Sequence, residues 1–425
     1  MIRFTRRAFG PPIVLAALLG TFLVALAAGP THAVADVRAD ANGYEIIINI
    51  PARELHLYRD GIKVKTYPIG VGSVVSPSRL GTTEIINSVA HPTYYPPDWY
   101  LRGLQPIPPG PDNPVGTRWL GLGWPGYGIH GTNRPESIGT ASSAGCIRMY
   151  NEDVEELASI VGIGTPVTFV YEPVEVHTDA LTGRIMLRVH RDIYRVRDLE
   201  PSDVVGLLAA RHIDTDRVSP SGIKMLLQQA SGQLVLLPTE LTVVLGDQTL
   251  AGAGFRIGAR EYVSADRLLR ALQSVLGTGD ADVTTWPEEL DLSRAAEVDG
   301  ERFFDPETLA SALGLALEQT VGPDGTPGVR FRFTRVRYGD TFLPWRAYRE
   351  HSWVLLPVAD FAQLYGFDVE IDTDREVVYV AGRPVFGGRT IDGALYLPHD
   401  RLAALFGVPI SWDPTGMVVT LGTRS

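Results

Sequence analysis

A single cysteine, Cys146, stands in a chain of 425 residues, so no intramolecular disulfide can hold any part of the fold. Stability has to come from packed apolar surface. The 45% hydrophobic content is enough for roughly two to four packed domains, and the 20% charged content is that of a globular chain, not a disordered one. The formal charge of −11, with no Lys/Arg-rich block anywhere, argues against a nucleic acid as the main partner.

The first residues read as a targeting segment. Arg3, Arg6 and Arg7 precede an apolar run over residues 13–28, and the small-residue pattern Ala33-Val34-Ala35 follows it. Residues 1–35 are therefore expected to be a signal peptide and the protein to be exported; a retained single-span anchor is the alternative. Arg6-Arg7 also loosely resembles a twin-arginine signal. A lone thiol outside the cell is open to oxidation, so reactivity is one reason to have it there, and a buried inert cysteine is the other reading.

Short β-rich runs over residues 44–51, 54–58 and 64–72, parted by turn signals such as Asp60-Gly61, read as an antiparallel meander. Residues 92–114 are heavy in proline and aromatics, which excludes an interior helix or a central strand and predicts an irregular loop, a candidate lid. Asn151-Glu152-Asp153 leads into Val154, Leu157, Ala158 and Val161, the spacing of one helix face, and residues 166–171 read as a closing strand. The first domain thus spans 42–173. Residues 174–240 combine a β-rich start with two amphipathic helical patterns, near 203–211 and 221–230, and read as an α+β module.

The chemistry lies in residues 127–150, YGIHGTNRPESIGTASSAGCIRMY. Acyl transfer by cysteine needs a thiolate, a base, something to orient the base, and donors for the developing oxyanion. His130 is sixteen residues before Cys146 and is the only histidine close to it in sequence. Gly145 permits a tight or positive-φ turn that would aim the amides of Gly145 and Cys146 at one point. No carboxylate is placed to orient the imidazole, so the main chain beside Gly131 is expected to do so. No metal or organic cofactor is called for.

His130-Gly131-Thr132 and Ser143-Ala144-Gly145-Cys146-Ile147-Arg148-Met149, with Asn151-Glu152-Asp153 behind them, resemble the catalytic signature of the L,D-transpeptidase family. Leu55-His56-Leu57-Tyr58, Ile69-Gly70-Val71-Gly72 and residues 113–120 agree with it. The resemblance implies a mainly-β catalytic domain, β-sandwich-like with a short helix. It also implies Cys146 as nucleophile, His130 as base, and the amides around Ala144, Gly145 and Cys146 as oxyanion donors. Ser143 would order the loop, and Arg148 would support either the site or the substrate's carboxylate; a structural ion pair is the other reading of Arg148. The substrates would be peptidoglycan stem peptides, joined by 3→3 crosslinks with release of D-alanine, at the cell wall or the outer face of the cytoplasmic membrane. Many members carry histidine where this chain has Ala144, which puts substrate positioning in doubt more than catalysis. An L,D-carboxypeptidase, a wall-bound scaffold and a generic cysteine peptidase are the competing functions.

From 241 to 421 a unit recurs: Tyr262-Val263-Ser264, Phe303-Phe304-Asp305, Val354-Leu355-Leu356-Pro357 and Leu395-Tyr396-Leu397-Pro398 each open a helical pattern. These patterns end at Leu276-Gly277, Leu313-Gly314, Tyr365-Gly366 and Phe406-Gly407. The repeats resemble the stalk modules related to the N-terminal domain of copper amine oxidases, which implies an accessory role, such as holding wall glycan or a protein partner. No copper chemistry follows, because His351 and His399 are isolated.

Overall fold

The computed structural model describes residues 42–423 except Asp98, 277–289, Pro323, 351–352 and Asp392. The expected signal segment, Gly277 and His351 lie outside the described residues. Among the described residues, no helix is long and apolar enough to cross a membrane.

The first domain grows from alternation. In β1 (Tyr44–Asn49) Ile46 and Ile48 point to the core, and antiparallel pairing sets them against Leu57 and Leu55 of β2 (Glu54–Arg59). β3 (Ile62–Pro68) continues the meander. After β4 (Val71–Gly72) come β5 (Gly81–Ala90), β6 (Arg118–Leu122), β7 (Gly128–His130), β8 (Ala141–Ser143), β9 (Ile147–Arg148) and β10 (Pro166–Val170). The strands form one eight-stranded sheet in the order β3-β2-β1-β10-β5-β6-β7-β9, with β4 and β8 as a separate parallel pair. The closing strand β10 inserts beside β1 in parallel, and strands from both ends of this order, through Ile46 and Leu57 on one side and Ile129 and Ile147 on the other, bury side chains in one common core.

Helix α1 (Asn151–Ile160) packs on β6 and β7. Its first turn carries Glu152 and Asp153, favourable at the positive end of the helix dipole, and its inner face buries Val154 and Leu157. Burying each contributes about 1.5–3 kcal/mol. The 92–114 segment is mostly irregular, bridged once between Tyr94 and Ile107. Fully buried Asn113 clamps its stem, donating through Nδ2 to the carbonyls of Pro92 and Pro108 at 2.8 and 3.1 Å and accepting from Val115 N–H at 3.0 Å.

β11 (Val174–Thr178), β12 (Ile185–His190) and β13 (Ser231–Leu236) form a three-stranded sheet. α2 (Pro201–Ala209) and α3 (Pro220–Gln229) share its apolar core through Leu187, Val204, Leu208 and Ile223. Both helices start with proline, whose missing N–H is no loss there. Beyond them, the strands 260–264, 301–304, 353–357 and 394–398 each run directly into a helix. Helices 306–313, 358–365 and 399–406 end on glycines in the left-handed region, Gly314, Gly366 and Gly407. A strand pair follows each of these three helices, and His399 accepts from the Val354 N–H at 3.2 Å, a structural contact.

Candidate active site

Two short parallel strands bring the site together. Register pairs Ile129 with Ile147 and His130 with Arg148, and both isoleucines are buried in the core. Alternation then puts Gly128 and His130 on the opposite face of β7, beside Cys146 and Arg148 on and just before β9. The loop between these strands is held along β4: Ser73 N–H donates to Ser143 O at 2.9 Å, and Gly70 exchanges both backbone hydrogen bonds with Arg148, at 2.8 and 2.9 Å.

His130 is buried, with Nδ1 2.6 Å from the carbonyl of Gly131. A carbonyl only accepts, so Nδ1 carries the proton and Nε2 presents its lone pair. Burial, against the hydrogen bond to Gly131 and together with the nearby charge of Arg148, pushes the imidazole down to about 4. The Trp119 indole stacks on its face. Gly128 makes room for that indole, because a Cβ at this position would lie 2.5 Å from Trp119 Cζ2.

Burial pushes the Cys146 thiol above its ordinary range, while a hydrogen bond from the Gly128 backbone and the charge of Arg148 oppose this. The resting pair is therefore a neutral thiol and a neutral imidazole, not a thiolate–imidazolium ion pair. Sγ lies 3.4 Å from the carbonyl of Gly126.

Gly145 takes φ +115°, and a Cβ there would meet Tyr127 Oη at 2.9 Å, so the position requires glycine. One expectation needs correction. The Gly145 amide is not aimed at an oxyanion: it donates to Ser143 Oγ at 3.0 Å, and the same hydroxyl donates to the Cys146 carbonyl at 2.6 Å. Ser143 is buried inside this loop, and Ala144 is exposed at its tip. The Gly145 carbonyl accepts from buried Ser78 Oγ at 2.8 Å.

Arg148 is half-buried and reaches Ser142 Oγ at 3.3 Å; among the described residues no carboxylate pairs with it. Among the described residues the charge of Arg148 acts on His130 and Cys146, and Glu136 is the carboxylate whose charge reaches it.

Sequence reasoning gave no role to Asn151. Its Oδ1 accepts from Thr132 N–H at 3.0 Å and Thr117 N–H at 3.3 Å, and its Nδ2 donates to Thr132 O at 3.1 Å. One side chain at the start of α1 thereby pins two loops beside His130. A Cβ on Gly116 or Gly131 would lie 2.1 Å from Asn151 Oδ1, so both glycines are required for this contact. An Asn ahead of a helical pattern reads as a local cap, and that ordinary signal hides the longer reach.

The YkuD family model, the L,D-transpeptidase catalytic domain, matches residues 43–169. The putative L,D-transpeptidase YkuD of Bacillus licheniformis is 40% identical over 144 residues, covering 34% of this chain and 76% of that protein. A putative L,D-transpeptidase of Fuscovulum blasticum, in the ATP synthase subunits region, is 32% identical over 180 residues, covering 37% of this chain and 93% of the relative. The solved catalytic domain of the E. faecium L,D-transpeptidase aligns at 24% identity over 31% of this chain and 99% of that one, with a TM-score of 0.25. On the identity and coverage of its relatives, this chain belongs to the L,D-transpeptidase family.

Proposed function

We propose that this protein is a cysteine-dependent peptidoglycan L,D-transpeptidase that forms 3→3 crosslinks between stem peptides, with Cys146 as nucleophile and His130 as base. The observation that carries the reading is the pairing of β7 with β9: His130 pairs with Arg148, two residues after Cys146, and its Nδ1 proton is held by Gly131, which leaves Nε2 unprotonated. Nε2 takes the thiol proton as Sγ attacks the carbonyl before the terminal D-alanine of a tetrapeptide stem. The carbonyl oxygen gains the negative charge and faces the Cys146 amide. The intermediate collapses, the C–N bond breaks, and the D-alanine nitrogen receives the proton from His130, leaving a thioester on Sγ. A side-chain amine of a second stem then attacks the thioester, His130 takes its proton, and the expelled thiolate is reprotonated.

Because thiol and imidazole rest neutral, the proton moves only when a carbonyl is in place to receive the sulfur, which protects an exposed-side thiol from idle oxidation. Arg148, which among the described residues makes no ion pair with a carboxylate, suits the free carboxylate of the departing D-alanine.

Residues 1–35 act as the export signal, residues 42–173 form the catalytic domain and residues 174–240 an α+β module. Residues 241–421 act as stalk modules resembling those of copper amine oxidases, holding the enzyme to wall glycan or a protein at the cell wall. The recurrence of strand, helix and strand pair, with left-handed glycines closing three helices, supports the repeat reading.

The test is mass spectrometry of disaccharide-tetrapeptide incubated with the protein and with a Cys146→Ala variant. Crosslinked dimers with loss of D-alanine, made only by the unmutated protein, are the expected result. Tripeptide alone would make it an L,D-carboxypeptidase, and no product from either would overturn catalysis on these stems.

A further inference from the structure

Tyr194 lies in the chain segment after β12, outside the residues matched by the catalytic family model, yet it packs against the core of the first domain together with Ile193. Its hydroxyl donates to the Gly72 carbonyl at 2.7 Å and accepts from the Ser78 N–H at 3.1 Å. Ser78 Oγ in turn accepts from the Gly72 N–H at 2.9 Å and donates to the Gly145 carbonyl at 2.8 Å. Tyr194 is itself held from behind. Its N–H donates to Tyr171 Oη at 2.8 Å, the two rings stack at 5.6 Å, and Tyr171 Oη donates to the Asp192 carboxylate.

This chain of contacts ends on one atom that matters for acyl transfer. In a trans peptide the carbonyl and the N–H point in opposite directions within one plane. Gripping the Gly145 carbonyl therefore fixes where the Cys146 N–H points. The Gly145 amide is already spent on Ser143 Oγ, which leaves the amides of Ala144 and Cys146 in this turn, and of these the Cys146 N–H belongs to the residue whose Sγ attacks the carbon on which the oxyanion forms.

We propose that Tyr194, contributed by the segment downstream of the catalytic domain, is a positioning residue that acts through Ser78 to aim the Cys146 amide at the oxyanion. The inference rests on the acyl-transfer function proposed above and adds to it a dependence on the second module.

Two reactions of the same sulfur separate this role from a merely structural one. Alkylation by iodoacetamide forms the S–C bond as iodide leaves and develops no oxyanion. Acylation by a carbapenem opens the lactam, passes through a tetrahedral oxyanion, and delivers the proton to the released nitrogen. Tyr194→Phe keeps the ring and removes the hydroxyl; Ser78→Ala removes the grip on Gly145. Each is expected to slow carbapenem acylation roughly tenfold or more while the alkylation rate stays at the wild-type value. With stem substrate, kcat should fall while KM holds.

Acylation at the wild-type rate in both variants would overturn the proposal and leave the transpeptidase reading standing, as would equal losses in acylation and alkylation. If Tyr194→Phe does not fold, Ser78→Ala decides; if neither folds, the residues are structural and the proposal falls. A wild-type protein that is alkylated but neither acylated nor active on stems would overturn the transpeptidase reading, and this one with it.

Discussion

Trp119 lies face to face with His130, ring centroids 5.6 Å apart and planes inclined by 17°. The indole covers one side of an imidazole whose low proton affinity comes chiefly from burial. Trp119→Ala should therefore admit water and raise the His130 value from about 4 toward the ordinary 6.5. Titration of the imidazole resonances by NMR checks this, and a value still near 4 would show that the indole is not what keeps the ring dry.

In the unmutated enzyme the same burial sets the acid limb. The base works only when neutral, so kcat/KM should hold through the ordinary histidine range and fall as pH drops through about 4. Stability follows the same sign. A folded value below the unfolded 6.5 means that the unfolded chain binds the extra proton first. The contribution is complete above 6.5 and shrinks as pH falls toward about 4. It amounts to about 3 kcal/mol, read from denaturant midpoints across that window.

Asn151→Ala removes both acceptors and donors that hold the 117 and 132 loops. A loss of about 1–3 kcal/mol is expected, with kcat reduced more than KM is raised, because His130 lies between the freed segments. Urea unfolding beside steady-state kinetics tests both parts; full activity in a destabilised variant would confine Asn151 to stability.

Glu175 ties the first domain to the next. It accepts from Asn49 Nδ2 at 2.9 Å and lies 3.0 Å from His177, 3.3 Å from His190 and 3.7 Å from Arg188. Burial pushes its carboxyl up, but the hydrogen bond from His177 and the neighbouring His190 and Arg188 outweigh this and hold it well below the usual range. Glu175→Ala should cost about 3 kcal/mol at neutral pH. The depressed value makes this contribution one that is present above the ordinary carboxylate range and lost as pH falls, so the gap between variant and parent should narrow in acid. Equal gaps at pH 7 and pH 3 in thermal melts would refute the electrostatic account.

Intact-mass analysis after carbapenem treatment should show one covalent adduct per chain, absent in Cys146→Ala. An adduct that survives in the variant would mean that another nucleophile reacts.

The pair His130 and Cys146 was legible because the chain between them is a short excursion from one strand to its parallel neighbour, so closeness in sequence became closeness in space. The helix after Asn151 and the early strands followed from apolar spacing, which records burial directly. The fate of the Gly145 amide was not legible, since a glycine shows that a turn is free to form but not which acceptor its N–H will find. Ser78 and Tyr194 carry no local pattern at all, and the motif around Trp119 does not show that its ring will lie on His130. Their roles arise where distant segments meet at the same loop, and no periodicity encodes that meeting.

The parallel pairing of β1 with β10 sets Ile46 against Val167 and Ile48 against Phe169. The first strand of this sheet to be synthesised thus lies next to its last, and the sheet cannot close until residues 166–170 have been made. Until Val170 is available, Cys146 hangs on an open-edged intermediate with no finished cleft around it. The order of synthesis itself delays the completion of the reactive centre until the whole of residues 44–170 is available.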